Sequence, residues 1–173
     1  RQRPRIKERV VHALMEAYRD DHHRPAIVDA LALLRDPRAE QVFVAALADA
    51  HRGGDYFEAA VRSARLIGEL RLRGQVPQLV KALERAHASP RPDRNTWLER
   101  SLTRPLARME DPRAVDVLIK VLTTEPTRQD FYLNRLAARA LGQLGVGRAA
   151  PALVKTLGAS SHGLLLFEEN RRA

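Results

Sequence analysis

Three of the four lysines in this chain recur at one position of a repeating pattern. Lys81, Lys120 and Lys155 follow one another after 39 and 35 residues, and Ala45 occupies the same position in the first copy. A regular row of ammonium groups suits an elongated acidic partner, because complementary charge speeds encounter and fixes orientation. We therefore predict that the three lysines bind a protein partner with an acidic surface. The alternative is that the position is simply solvated.

A second row of cations consists of arginines that each precede one of these lysines by 16 residues. Its members are Arg65, Arg104 and Arg139, and Asp29 occupies the position in the first copy. Neighbouring helices pack about 8–10 Å apart, so stacked repeats would turn each row into a line of positive charge. We predict that these arginines also contact the partner, with solvated surface charge again as the alternative.

The longest connection between the predicted repeats covers residues 84–95 and is rich in proline and arginine. Loops on a rigid scaffold often carry binding contacts. We therefore add Arg91 and Arg94 to the candidate partner-binding residues. A harmless insertion is the alternative.

The sequence lacks the residue patterns of common catalytic and metal sites. It has no cysteine, and it contains no G-x-S-x-G, P-loop or H-E-x-x-H pattern. His22, His51 and His87 recur near the ends of predicted helices, where a cation interacts favourably with the helix dipole. We therefore predict no catalytic residue, no metal and no cofactor.

These positions belong to a phrase that occurs four times. The four copies are Ala30–Leu47, Leu66–Leu83, Pro105–Leu122 and Ala140–Leu157. The small residues in the third position (Ala32, Gly68, Ala107 and Gly142) are 36, 39 and 35 residues apart. A period of this size indicates a solenoid of helical pairs, in which each pair buries its apolar face against its neighbours. We call the first helix of each pair A and the second B.

The predicted fold is an all-α superhelix, an α-solenoid formed by one domain over residues 1–173. Its four hairpins cover about residues 24–52, 55–88, 95–125 and 130–159, with partial repeats at 5–20 and 164–173. We expect a piece of a longer protein, because the chain starts without methionine and ends within repeats. In the B helices, Val76, Leu79 and Leu83 form one apolar face.

Local signals predict several helix boundaries. Asp36 and Asp111 each open a D-P-R-A turn, in which aspartate accepts first-turn N–H groups and proline begins the helix. Asp55 and Thr96 have capping-box spacing to a later glutamate. Pro105 is predicted to interrupt and kink the third A helix.

Two further features concern the packing of the A helices. Aromatic residues follow the predicted starts of these helices, and we assign them to the core: Tyr56, Phe57, Trp97, Phe131 and Tyr132. The small residue in the third position of each copy should let neighbouring helices approach closely.

The four phrases resemble HEAT repeats, in particular the short HEAT-like repeats associated with phycobilisome lyases. Ala140–Leu157 follows that family's pattern A-L-G-x-L-G-D-x-R-A-V-P closely, with Val146 in place of aspartate, whereas Leu72–Gln75 departs from it. The resemblance implies a solenoid with B helices on its concave side, where members of the family mostly bind proteins. Some members are bilin lyases, and some HEAT-like proteins act on DNA.

The favoured function is a non-enzymatic scaffold or adaptor that binds an acidic protein surface along the B helices. Net charge is +9, which is either functional or a consequence of composition. A nucleic-acid-binding module and a bilin-lyase-like subunit are the alternatives. Nucleic acid is disfavoured because the densest arginines fall on A helices, while the B helices show no aromatic stacking platform. No cysteine and no apolar run of 18 residues occur, so we expect a cytoplasmic protein that does not bind membranes.

Overall fold

Every regular element in the described part of the chain is helical. The computed structural model describes residues 2–20, 23–89, 92–124 and 131–156. Its helices are α1 (Gln2–Asp20), α2 (Arg24–Leu34), α3 (Ala39–Asp49), α4 (Gly54–Glu69), α5 (Val76–Ala88), α6 (Pro92–Met109), α7 (Val115–Thr123), α8 (Phe131–Leu144) and α9 (residues 150–156). Within these ranges the predicted all-α fold is confirmed. The predicted partial repeat at 164–173 lies outside them.

The helices pack in two rows. Helices α2, α4, α6 and α8 contact one another in succession and form the A row, while α1, α3, α5 and α7 form the B row. Contacts between the rows join α3 to α4, α5 to α6 and α7 to α8. Each row is therefore a succession of stacked helices, and each B helix packs against the A helix that follows it, which is the architecture of an α-solenoid.

A single apolar seam runs between the two rows. Val76, Leu79 and Leu83 of α5 are fully buried in it, as their helical spacing predicts. Leu102 of α6 and Leu118 of α7 continue the seam with no exposed surface. Leucine and alanine fill most of this core, and Phe43 and Tyr18 add two aromatic rings to it.

The two D-P-R turns fold in the same way, and the prediction for their aspartates is confirmed. Asp111 accepts a hydrogen bond from the backbone N–H of Arg113 at 3.0 Å, and the guanidinium of Arg113 lies 2.7 Å from the same carboxylate. Asp36 and Arg38 repeat this arrangement at 3.0 Å for both contacts. The side-chain hydrogen bond from Arg38 lowers the pKa of Asp36 to about 2. Each turn therefore fixes its own entry into a B helix.

Proline and glycine make the closest contact between two A helices. A Cβ atom added to Gly68 of α4 would lie 2.5 Å from the Cβ of Pro105 in α6, so only glycine fits this crossing. The predicted close approach is thus confirmed at Gly68. At Gly142 no described atom lies within 4 Å of such a Cβ, and the repeat predicted to follow it, at residues 164–173, lies outside the described residues. Helix α6 continues through Pro105, so the predicted interruption is wrong.

The predicted capping boxes are wrong. Helix α4 begins at Gly54, because Gly53 has a φ of 77° that glycine adopts without strain, and this places Asp55 inside the first turn. Helix α6 begins at Pro92, four residues before Thr96. Proline is favoured at the first helical position because its φ is already helical.

Candidate partner-binding surfaces

The three lysines of the predicted row lie on successive B helices and are exposed. Lys81 is on α5, Lys120 on α7 and Lys155 on α9. The Nζ of Lys120 is 3.9 Å from the Oε1 of Glu84 on α5, and its side chain stays 65% exposed. No described residue forms an ion pair with the other two lysines. The structure thus leaves all three ammonium groups accessible to a partner.

Acidic residues lie beside this lysine row and link one repeat to the next. The Nε2 of Gln75 donates to the Oε2 of Glu40 at 2.9 Å, and the Nη1 of Arg148 lies 3.1 Å from the Oδ1 of Asp116. The Arg148–Asp116 contact is an exposed ion pair, of the kind that adds roughly 0–1 kcal/mol to stability. The larger effect of these acidic residues is on the electrostatic potential, because they offset part of the positive charge along the lysine row.

The three arginines of the second predicted row have different surroundings. Arg65 lies 3.7 Å from Asp29 of α2, which neutralises part of its charge. Arg104 donates a hydrogen bond to the hydroxyl of Tyr132 on α8, which carries no charge. Arg139 is exposed on α8. The row is therefore not uniform, because the local partner of each guanidinium differs.

The predicted loop at 84–95 is largely helical. Helix α5 extends to Ala88 and α6 begins at Pro92, so the connection between them is short. Arg91 lies outside the described residues, as does the side chain of Arg94.

The predicted core placement of the A-helix aromatic residues holds only in part. Phe57 is half-buried and packs against the core, as predicted, whereas Trp97 is 59% exposed. The ring of Tyr56 has the guanidinium carbons of Arg24 and Arg52 each 3.9 Å from its centre. Tyr132 is half-buried and also contacts arginine. The two tyrosine rings therefore form cation–π contacts, and the side chain of Phe131 lies outside the described residues.

Sequence reasoning missed an open groove on the A row. It lies between α4, α6 and α8, has a volume of about 860 Å³, and is lined by arginine and aromatic side chains. Trp97, Arg100, Arg104 and Arg108 follow at spacings of three and four, which places them on one face of α6. That spacing could have revealed the groove, but the assignment of the rings to the core concealed it.

A half-buried histidine, His87, joins three helices near the end of α5. The Nδ1 of His87 is 2.8 Å from the Oε1 of Glu99 on α6, and its Nε2 is 2.6 Å from the Oγ1 of Thr124 after α7. Glu99 is 9% exposed. The helix-dipole interpretation of this histidine is therefore incomplete, because its contacts tie two hairpins together. His51 hydrogen-bonds only the carbonyl of Ala48 among the described residues, and His22 lies outside those residues.

The described ranges contain neither a metal-binding cluster nor a membrane-spanning helix. There, no three or more His, Asp or Glu side chains cluster in a way that could hold a metal ion. None of the helices in these ranges combines the length and the apolar character that crossing a membrane requires.

Two stacked rows of helices and their recurring turns define an α-solenoid, and the comparisons with known proteins specify the kind of repeat. Residues 134–158 match the family described as PBS lyase HEAT-like repeat. The phycocyanobilin lyase subunit alpha of Microchaete diplosiphon is 51% identical over 53 residues, which is 29% of this chain and 18% of that protein. The same subunit of Pseudanabaena tenuis (strain PCC 7409) is 47% identical over 53 residues, 29% of this chain and 20% of that protein.

The match spans only about a fifth of the length of these relatives. The helical hairpins, the D-P-R turns and the matching residues agree on one class of repeat. Residues 134–158 are therefore a HEAT-like repeat of the phycobilisome-lyase type, within a solenoid whose other hairpins pack in the same two rows.

Proposed function

We propose that this protein is a scaffold that binds an acidic surface of a protein partner along its B helices. The observation that supports this most directly is the exposure of Lys81, Lys120 and Lys155 at one position of three successive repeats. A repeat stack offers a long, regular surface, and positive charge along it would steer an acidic partner into register. The nearby acids Glu84 and Asp116 would limit this attraction to partners whose carboxylates reach the lysines.

The test begins with capture of the partner from the native cell and its identification by mass spectrometry. The purified pair is then measured by surface plasmon resonance at low and high salt. Replacing the row by Lys81→Glu, Lys120→Glu and Lys155→Glu should slow association about tenfold at low salt and flatten the salt dependence. A matched variant with glutamate at Arg35, Arg71 and Arg73, on the turns, controls for net charge. Unchanged association in the lysine variant would reject the proposal.

The second candidate function is that of a bilin-lyase-like subunit, and the comparisons with known proteins support it. Both matched relatives are named phycocyanobilin lyase subunit alpha. In that case the protein would bind phycocyanobilin or assist its transfer together with another subunit. Titration of phycocyanobilin with the purified protein should then change the absorbance spectrum of the pigment. A spectrum that stays unchanged at an excess of protein would contradict pigment binding and leave the scaffold proposal standing.

A further inference from the structure

The groove on the A row combines positive charge with aromatic surface. Five arginines from α4 and α6 line it: Arg62, Arg65, Arg100, Arg104 and Arg108. The lining includes one acid, Glu58. The groove is partly open to solvent, so a chain can enter it from outside.

The charge of the groove is concentrated on α6. The three arginines of α6 that line the groove, Arg100, Arg104 and Arg108, are four residues apart and hence about 6 Å apart along the helix. Arg104 bonds a neutral hydroxyl, and no described residue forms an ion pair with Arg108. On the opposite wall, Arg62 and Arg65 both contact Asp29 and are partly neutralised. An anionic chain would therefore gain most by following α6.

Aromatic surface lies directly beside these arginines. Trp97 is 59% exposed one turn before Arg100 on the same face of α6. Across the groove, the ring of Tyr132 has the guanidinium carbons of Arg100 and Arg135 at 5.2 and 5.5 Å from its centre. A cationic track beside an exposed ring is the arrangement that proteins use to hold single-stranded nucleic acid, with bases stacked on the ring.

We propose that this groove binds single-stranded nucleic acid, with phosphates on the arginines of α6 and a base stacked on Trp97. The sequence-based objection to nucleic acid was that arginines and stacking rings are not found together on the B helices. The structure brings both together on the A row. An acidic peptide could use the arginines, but its carboxylates have no contact to make with the exposed indole face. The combination therefore favours nucleic acid.

The chain provides its own probe, because Trp97 is its single tryptophan. Binding of an oligothymidylate of about ten nucleotides should quench the tryptophan fluorescence. Anisotropy of the labelled oligonucleotide should show affinity falling roughly twentyfold between about 50 and 200 mM salt, as expected for three phosphate contacts. An oligodeoxyuridylate and an oligouridylate of the same length separate the two sources of the ligand, because they differ only in the 2′-hydroxyl group. Binding of either one supports the proposal, and the tighter one identifies the preferred sugar.

Three variants locate the site. Trp97→Ala should weaken binding about tenfold, and Arg108→Glu should weaken it at least as much at low salt. Lys120→Glu makes the same change in net charge on the B row and should leave the affinity within about twofold. Far-UV circular dichroism checks that each variant keeps its helices. This comparison is independent of the scaffold proposal, because that proposal depends on the lysines.

Three results would overturn the inference. The first is no change in anisotropy or fluorescence at low salt. The second is an equal loss in Lys120→Glu and Arg108→Glu, which would show attraction by net charge alone. The third is tighter binding of a polyglutamate peptide of matched charge, which would identify the groove as a site for acidic protein.

Discussion

Replacing Gly68 with alanine would force a methyl group between α4 and α6. The new Cβ would lie 2.5 Å from the Cβ and 3.0 Å from the Cα of Pro105. Carbon atoms in contact are about 3.5–4.0 Å apart, so the two helices would have to separate by about 1 Å. The ring of proline cannot rotate out of the way, because it is fixed to the backbone.

Two opposing effects determine the size of the change. Overpacking a close contact costs about 1–3 kcal/mol, whereas alanine in a helix is about 1 kcal/mol better than glycine. The free energy of unfolding should therefore fall by about 0–2 kcal/mol in Gly68→Ala. Gly142 has the same position in the fourth repeat but meets no described atom within 4 Å, so Gly142→Ala should gain about 1 kcal/mol. The two variants should differ by about 1–3 kcal/mol.

Urea unfolding followed by far-UV circular dichroism measures this difference. For a chain of this size, each 1 kcal/mol corresponds to about 2–4 °C in Tm, so thermal unfolding provides a second measurement. Combining Gly68→Ala with Pro105→Gly should relieve the clash, because the Cβ atom that opposes the new methyl group is then absent. If Gly68→Ala is stabilised as much as Gly142→Ala, the proposed contact does not constrain the fold.

Three further predictions concern single side chains and use the same unfolding assay. Burial raises the pKa of Tyr18 from 10 to about 12. The neutral tyrosine therefore contributes fully to the stability of the fold below pH 10, and this contribution is lost between pH 10 and 12. Tyr18→Phe should remove this loss of stability at alkaline pH, and a variant as alkali-sensitive as the wild type would contradict the prediction. His87→Ala should lower the free energy of unfolding by about 1–3 kcal/mol, because it leaves the buried carboxylate of Glu99 without this partner. The control His51→Ala should lower it by less than about 0.5 kcal/mol. Equal losses would show that His87 does not join the two hairpins. Asp111→Ala should lower the free energy of unfolding by about 1 kcal/mol. Asp111→Asn should lower it clearly less, because the amide oxygen can still accept the hydrogen bond from the backbone N–H of Arg113. Equal losses would show that this hydrogen bond is not what stabilises the turn.

Repetition made the fold predictable from the sequence. Four copies of one phrase at nearly constant spacing allow only a stack of equivalent units, and the apolar face of Val76, Leu79 and Leu83 fixes which side each helix buries. The D-P-R turns were equally readable, because Asp111 and Asp36 satisfy N–H groups within their own turn. Such local interactions require no knowledge of the neighbouring repeat.

The sequence was less informative where one residue serves two helices. The role of His87 depends on Glu99 and Thr124, which belong to other elements. The capping boxes failed because spacing alone does not exclude an earlier start, such as the one Pro92 gives α6.

By itself, the sequence determined the all-α class, the order of the hairpins and the position of the lysines on exposed faces. Only the tertiary structure decided which charges lie together, because each repeat contributes one wall of a groove and the crossing of Gly68 and Pro105 sets the distance between walls. Helical period places Trp97 and Arg104 on one face of α6. Whether that face is buried or open depends on how α4 and α8 pack beside it.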